Sequence, residues 1–166
     1  KVRHFGVSNQ NPMMMELLKT AVKQPLKVNQ LQLSAAFTPS FEAGFHVNME
    51  GPKAAVRDGS VFEYCRLTDT VIQAWSVLQH GYFKGNFVGK EEFAALNHVL
   101  TDLAKKYQVT PTAIALAWVL RYPGKMQAVI GTTKPQHVLE AGKAATVTLT
   151  RKEWYQIYLA AGNDLP

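Results

Sequence analysis

Apolar residues recur along this chain at two spacings, one typical of strands and the other of helices. Short runs rich in β-forming residues predict four strands, over residues 2–7, 27–33, 70–77 and 128–131. Between them, apolar residues recur every three or four positions, most clearly over residues 91–107. This alternation predicts about four βα units in series, and therefore a parallel sheet with right-handed crossovers.

Capping residues indicate where several helices begin. Asn11 precedes Pro12 and Thr110 precedes Pro111, and a polar cap followed by proline is a favoured helix start. Thr150 and Glu153 form a capping-box pattern that predicts a last helix. A short helix is predicted over residues 60–66 and another from Pro135. The stretch 35–59 is predicted to be irregular, and its length favours a functional loop.

Composition places the chain among single-domain globular proteins. Its 166 residues are 47% apolar, which suits one domain over residues 1–166. No apolar run is long enough to cross a membrane. The single cysteine, Cys65, fits a reducing compartment, and we expect a cytoplasmic protein. The five histidines lack metal-ligand spacing, so no metal site is predicted.

The net charge of +6 has two interpretations, a solvated surface or a field that attracts an anionic ligand. Nucleic acid is not expected as a partner, because basic and aromatic residues are not interleaved on one face. A generic anion-binding α/β domain remains an open interpretation of the charge.

The predicted strands end on a distinctive set of side chains. Ligands of parallel α/β folds lie at the carboxyl ends of the strands. Here those ends carry Ser8-Asn9, Asn29-Gln30, Trp75-Ser76 and the run Gly131-Thr132-Thr133-Lys134. Each residue alone is also common as a turn, cap or core residue. Together the amides suit a carboxamide and the indole suits a planar ring. The helix start after Thr132-Thr133 suits phosphate. The set indicates a nicotinamide dinucleotide.

Four sequence blocks carry a family resemblance. The blocks KVRHFGVSN, PLKVNQLQLS, VIQAWSVL and AVIGTTKPQHVLEA, in that order, resemble the aldo-keto reductase family, particularly its bacterial branch. The resemblance spans essentially the whole chain and implies the C-terminal half of a (β/α)8 TIM-type barrel. The apolar pattern alone also allows a complete doubly wound sheet.

The resemblance assigns cofactor-binding roles to specific positions. It places Ser8, Asn9 and Gln30 at the nicotinamide carboxamide, and Trp75 against the nicotinamide ring. It places Ser76, Val77, Leu78 and Gly81 along the pyrophosphate. It places Gly131, Thr132, Thr133, His137 and Glu140 at the adenosine end. The implied cofactor is NADP(H), with NAD(H) left open because no lysine or arginine matches the usual partners of a 2′-phosphate. Lys134 or a protonated His137 is a candidate replacement.

The resemblance also implies an activity that this chain is not expected to perform alone. The family reduces aldehydes and ketones by hydride transfer, using an aspartate, a tyrosine, a lysine and a histidine from the first half of the barrel. None of those motifs is present, so no catalytic residue is assigned, and the chain is expected to be an inactive fragment without the N-terminal half. The missing half, or a second copy, is the expected partner of its sheet edges. The resemblance implies that residues 41–59 and the carboxyl-terminal tail line the pocket for a small carbonyl substrate. The alternative interpretation is a non-catalytic, nucleotide-binding regulatory subunit.

Overall fold

Four parallel strands form the centre of the protein, in the spatial order β1-β2-β3-β4. The computed structural model describes residues 2–45, 60–81 and 84–165. The strands are β1 (Phe5–Ser8), β2 (Leu26–Gln32), β3 (Val71–Trp75) and β4 (Met126–Ala128). The helices are α1 (Pro12–Ala21), α2 (Pro39–Phe45), α3 (Val61–Leu67), α4 (Ala94–Tyr107), α5 (Pro111–Leu120), α6 (Pro135–Gly142) and α7 (Arg151–Ala160). The predicted parallel sheet is therefore confirmed.

Three helices begin as their capping residues predict. The Asn11 side chain accepts a hydrogen bond from the backbone N–H of Met14, and Pro12 opens α1. Thr110 caps α5 in the same way. At α7 the Thr150 and Glu153 pair forms a complete capping box. These caps satisfy backbone N–H groups that the first helical turn leaves without partners.

The two faces of the sheet have different environments. On one face, Leu31 of β2 and Ile72 and Ala74 of β3 are buried in a single core with side chains of α3, α4, α5 and α7. Residues 113–119 of α5 are all buried, so this helix lies inside the core. On the other face of the sheet, Val28, Gln30 and Gln73 are only partly buried. We call this second side the inner face, because it corresponds to the inside of the expected barrel.

An aromatic cluster lies at the centre of the core. The indole rings of Trp118 and Trp154 stack with centroids 4.8 Å apart, and each indole N–H donates to the other residue's backbone carbonyl. Phe41 packs against both rings and is almost fully buried. The expectation that Phe41 lines a substrate pocket is therefore wrong. Of the rest of that expected lining, residues 42–45 belong to α2, and residues 46–59 lie outside the described residues.

Several element boundaries differ from the prediction. β1 begins at Phe5 instead of residue 2, and Val2 and His4 before it are exposed. β4 covers Met126–Ala128 instead of residues 128–131. The stretch predicted to be irregular contains α2, whose first turn is preceded by Thr38.

Candidate functional site

A groove of about 540 Å³ opens at the carboxyl ends of β3 and β4. One wall is the segment 75–79 after β3, and the other is the segment 129–132 after β4. Helices α5 and α6 contribute the floor and one end. The predicted site residues that line it are Trp75, Ser76, Val77, Leu78, Gly131, Thr132, His137 and Glu140. Two sequence blocks about 50 residues apart thus meet in one cavity.

The segment that forms the wall after β3 leaves the direction of the strand at a single residue, Ser76. Trp75 is the last residue of β3, and Ser76 adopts a left-handed conformation with φ +51°. Such a conformation is uncommon for serine and is typical of constrained, often functional, positions. The Val77 side chain is buried, and the Leu78 carbonyl accepts from the Phe87 N–H at 3.0 Å. The segment is therefore held in place while Trp75 and Leu78 line the groove.

The wall after β4 leaves backbone and small side chains accessible. The Val129 N–H donates to the Ala74 carbonyl at 2.8 Å, which extends the pairing with β3 by one bond. A Cβ added at Gly131 would have no atom within 4 Å, so the space beside it is open. The Thr132 hydroxyl accepts from the Lys134 N–H and lies 3.4 Å from Nδ1 of His137. Among the described side chains, none caps the start of α6.

A second group of predicted residues lies at the ends of β1 and β2. Asn9 has φ +53° and its N–H donates to the Gln30 carbonyl at 2.9 Å, while the Ser8 hydroxyl donates to the same carbonyl at 3.3 Å. The buried Asn29 amide donates to the Gln10 carbonyl at 2.8 Å and so fixes the turn after Asn9. Ser8, Asn9 and Gln30 therefore form one cluster, separate from the lining of the groove.

Strand register connects this cluster to the groove. Gln30 of β2 is opposite Gln73 of β3, and Gln32 is opposite Trp75. Trp75 is two residues beyond the position opposite Gln30, so Gln30 and Trp75 are diagonal neighbours on the inner face. The cluster and the groove thus both lie at the carboxyl ends of the strands.

Some predicted residues do not join either group, and some lining residues were not predicted. Gly81 is buried and Thr133 is exposed, and neither lines the groove. The polar lining residues that were not predicted are Gln79, Asn86 and Thr112. Gln73, whose side chain is hydrogen-bonded to those of Gln30 and Gln127, was also missed, as was Gln127. Gln73 could have been found from strand alternation, because it is two residues before Trp75 on the same face.

The ionisable groups of the groove lie at one end only. Within the described part of the chain, His137 and Glu140 are the titratable side chains of its lining, and both belong to α6. Cys65 is elsewhere, buried beneath β2, and burial raises the pKa of its thiol. The described residues contain no group of three or more metal-ligating side chains. None of the helices in the described ranges is long and apolar enough to span a membrane.

Comparisons with known proteins agree on one family. The sequence model of the Aldo/keto reductase family matches residues 1–160. A 6-dehydroglucose reductase of Agrobacterium fabrum is 32% identical over 99% of this chain and 49% of its own length. The oxidoreductase YdhF of Escherichia coli is 30% identical over 100% of this chain and 50% of its own length. The chain spans about half the length of the curated relatives it matches.

Solved structures show the same relationship at the level of the fold. The thermostable aldo-keto reductase Tm1743, solved with the inhibitor epalrestat, is similar with a TM-score of 0.66 and 22% identity over 95% of this chain and 48% of that chain. An aldo-keto reductase, AKR2E5, complexed with NADPH is similar with a TM-score of 0.65 and 17% identity over 95% of this chain and 42% of that chain. The predicted α/β architecture, half of a (β/α)8 barrel, is confirmed.

Proposed function

The chain belongs to the aldo/keto reductase family, a family of oxidoreductases, and from this premise we propose that it forms the cofactor-binding half of an enzyme that reduces aldehydes or ketones. The observation that carries the proposal is the groove in which the segment after β3 and the segment after β4 meet. The proposed ligand is a nicotinamide dinucleotide. A relative of this fold was solved with NADPH, which supports that ligand class.

The groove has the chemistry that such a ligand requires. Trp75 presents a planar aromatic side chain at the end of β3, on the same face of the sheet as Gln30 and diagonal to it in the strand register. In this proposal the nicotinamide ring stacks on the indole, and the carboxamide exchanges hydrogen bonds with the cluster. The segment Ser76–Leu78 would follow the pyrophosphate, and open space beside Gly131 admits the adenosine end.

Cofactor preference is proposed to depend on α6. No arginine lines the groove in the described residues, and His137 occupies its α6 end beside Thr132. A protonated His137 can pair with a 2′-phosphate, as can the exposed Lys134 at the start of α6. We therefore propose NADP(H) as the cofactor, with His137 favouring it over NAD(H).

The proposed reaction needs a proton donor that the groove does not offer. The nicotinamide supplies a hydride, and the resulting alkoxide must receive a proton from an acid. The groove's titratable groups in the described part of the chain are His137 and Glu140, at its α6 end, whereas Trp75 lies at the end of β3. We propose that the chain by itself binds the cofactor without turning over a carbonyl substrate. The same observation favours, as the second candidate, a dinucleotide-binding subunit without catalysis.

The proposed binding can be tested by titrating the chain with NADPH and following the nucleotide's fluorescence. We expect saturable binding, and Trp75→Leu should weaken it roughly tenfold because stacking on an aromatic ring contributes about 1–3 kcal/mol. The matched variant Trp75→Tyr keeps a planar ring and should bind within about threefold of the wild type. Absence of saturable binding by the wild type contradicts the proposal, as does equal loss in both variants.

Cofactor preference has its own test by isothermal titration calorimetry. His137→Ala should reduce the preference for NADPH over NADH by roughly tenfold, the effect of one charge-assisted hydrogen bond. His98→Ala is the control, because His98 is exposed on α4 and does not line the groove. An unchanged preference in His137→Ala assigns the 2′-phosphate contact to another residue.

A further inference from the structure

Three glutamine side chains form a hydrogen-bonded row across the inner face of the sheet. Gln30 of β2, Gln73 of β3 and Gln127 of β4 are opposite one another in the strand register. Nε2 of Gln30 donates to Oε1 of Gln73 at 2.8 Å, and Nε2 of Gln73 donates to Oε1 of Gln127 at 2.9 Å. Ser8 of β1 is opposite Gln30 at the other end of the row.

The row has a direction. Each amide donates toward β4, so the three amide dipoles are aligned head to tail. Aligned amides polarise one another, which strengthens the acceptor at the β2 end of the row. Because Nε2 of Gln30 faces β3, the oxygen on the same planar group points away from β3. The row therefore determines which atom of Gln30 is available to a ligand.

We propose that Gln73 and Gln127 are positioning residues that orient the Gln30 amide, so that its oxygen accepts a hydrogen bond from the nicotinamide carboxamide N–H. This inference rests on the proposed function, which puts that carboxamide beside Gln30. A carboxamide offers N–H donors, whereas the acetyl group of the 3-acetylpyridine analogue offers only an acceptor. A row in this direction therefore favours the amide cofactor over the acetyl analogue.

A purely structural role for the row predicts something different. Cross-strand amide pairs also stabilise sheets, and their loss would reduce stability without regard to the chemistry of the ligand. Only a positioning role makes the choice between amide and acetyl ligands depend on the direction of the row. The test therefore reverses the direction rather than removing the side chains.

Two substitutions at Gln73 keep or reverse the direction. In Gln73→Glu the carboxylate still accepts from Nε2 of Gln30, and the exposed Gln127 can turn to donate to it. In Gln73→Lys the ammonium only donates, so Gln30 must turn its oxygen to the lysine and its N–H groups to the ligand.

Gln127→Lys at the exposed edge of the sheet should also reverse the direction of the row, through Gln73, with little risk to folding. Gln156→Lys, exposed on α7, adds the same charge far from the row as a control.

The measurement is the ratio of dissociation constants for NADPH and its reduced 3-acetylpyridine analogue, by calorimetry on the full 166-residue chain. Both ligands carry the same phosphates. The charge of an added lysine therefore changes both dissociation constants alike and does not change their ratio. We expect the wild type, Gln73→Glu and Gln156→Lys to favour NADPH by about 3–10-fold, the effect of one hydrogen bond. In Gln73→Lys and Gln127→Lys this preference should disappear.

The failures of the two proposals can be told apart. If the wild type binds NADPH but Gln73→Lys and Gln127→Lys keep its preference, this inference alone is overturned. If the wild type binds neither ligand, the proposed function is overturned together with it. In the free protein, NMR of the Gln30 side-chain amide should show one slowly exchanging proton that Gln73→Leu removes. Two equally fast protons in the wild type contradict the row itself.

Discussion

At the scale of single residues, Glu153 joins a helix cap to an ion pair. One carboxylate oxygen accepts from the Thr150 N–H at 2.7 Å and from the Tyr107 hydroxyl at 2.8 Å. The other pairs with Lys106. Burial by itself would raise the pKa of Glu153, but the hydrogen bonds from Lys106, Thr150 and Tyr107 outweigh it and lower the pKa to about 2. The ionised form of Glu153 thus stabilises the contact between α4 and α7.

Replacing Glu153 should make stability less dependent on pH in the acid range. A carboxyl group with a folded pKa below its unfolded value of 4.5 stabilises the protein above pH 4.5, and this contribution is lost as the pH falls toward 2. We expect Glu153→Gln to lower the free energy of unfolding by roughly 1–3 kcal/mol at pH 7 and by less than half as much at pH 3.

Urea unfolding at several pH values measures this difference. Glu91→Gln is the control, because Glu91 is exposed before α4 and should change stability little at any pH. A constant difference between wild type and Glu153→Gln from pH 7 to pH 3 would contradict the assignment of the lowered pKa.

Residue-level prediction from sequence succeeded where the signal is local. The capping box at Thr150 needs only a four-residue pattern, and its partners are fixed by helix geometry. The row of Gln30, Gln73 and Gln127 depends on the register between three strands, which no single stretch of sequence contains. Residues that act alone at a strand end, such as Trp75, could be predicted, whereas partners across the sheet could not.

At the scale of elements, the pairing of β1 with β2 depends on Gly6. A Cβ added at Gly6 would lie 2.8 Å from Cβ of Val28 and 3.1 Å from its carbonyl oxygen. Both atoms belong to β2, and neither is the end of a flexible side chain. The strands can approach closely only because Gly6 has no side chain, and this approach brings Ser8 and Asn9 to Gln30.

Gly6→Ala should therefore separate β1 from β2. We expect a loss of roughly 1–3 kcal/mol in the free energy of unfolding, typical of overpacking, and weaker NADPH binding as Ser8 and Asn9 move. Gly142→Ala is the matched control, since Gly142 ends α6 with open space around it and alanine is the better helix former. Thermal unfolding and NADPH titration of both variants provide the check, and equal stability in the two would contradict the role of Gly6.

The bounds of β4 were mispredicted because an apolar run there lines the groove instead of continuing the strand. Val129 and Ile130 favour a strand over residues 128–131, yet β4 ends at Ala128 and both side chains line the groove. Apolar residues at a ligand site and in a strand have the same pattern, so sequence alone does not separate them. For α2 a signal was present, because Thr38-Pro39 has the same cap-and-proline form as the starts of α1 and α5.

At the scale of the whole molecule, exposed apolar side chains concentrate at the two edges of the sheet. Strands β1 and β4 are the edge strands of the described sheet. In the part of the chain that the structure describes, most of the exposed large apolar residues lie on β1, α1 and their flanks or beside β4 and on α6, namely Val2, Phe5, Met13, Met14, Leu17, Leu18, Val129, Ile130, Val138 and Leu139. Edges of this kind are typical of surfaces that pair with further strands and helices.

We expect this distribution to make the isolated chain associate through its edges, as a barrel half would with a complementary half or with a second copy. Leu17 of α1 is 69% exposed at one edge and Val138 of α6 is 46% exposed at the other. Sedimentation velocity between about 1 and 100 µM should show association of the wild type, because each buried leucine or valine contributes roughly 1.5–3 kcal/mol. Leu17→Lys and Val138→Lys should each shift association to higher concentration. Leu159→Lys, on α7 away from both edges and 48% exposed, should leave it unchanged. A well-folded wild-type monomer across the whole range would show that the edges are stable without a partner.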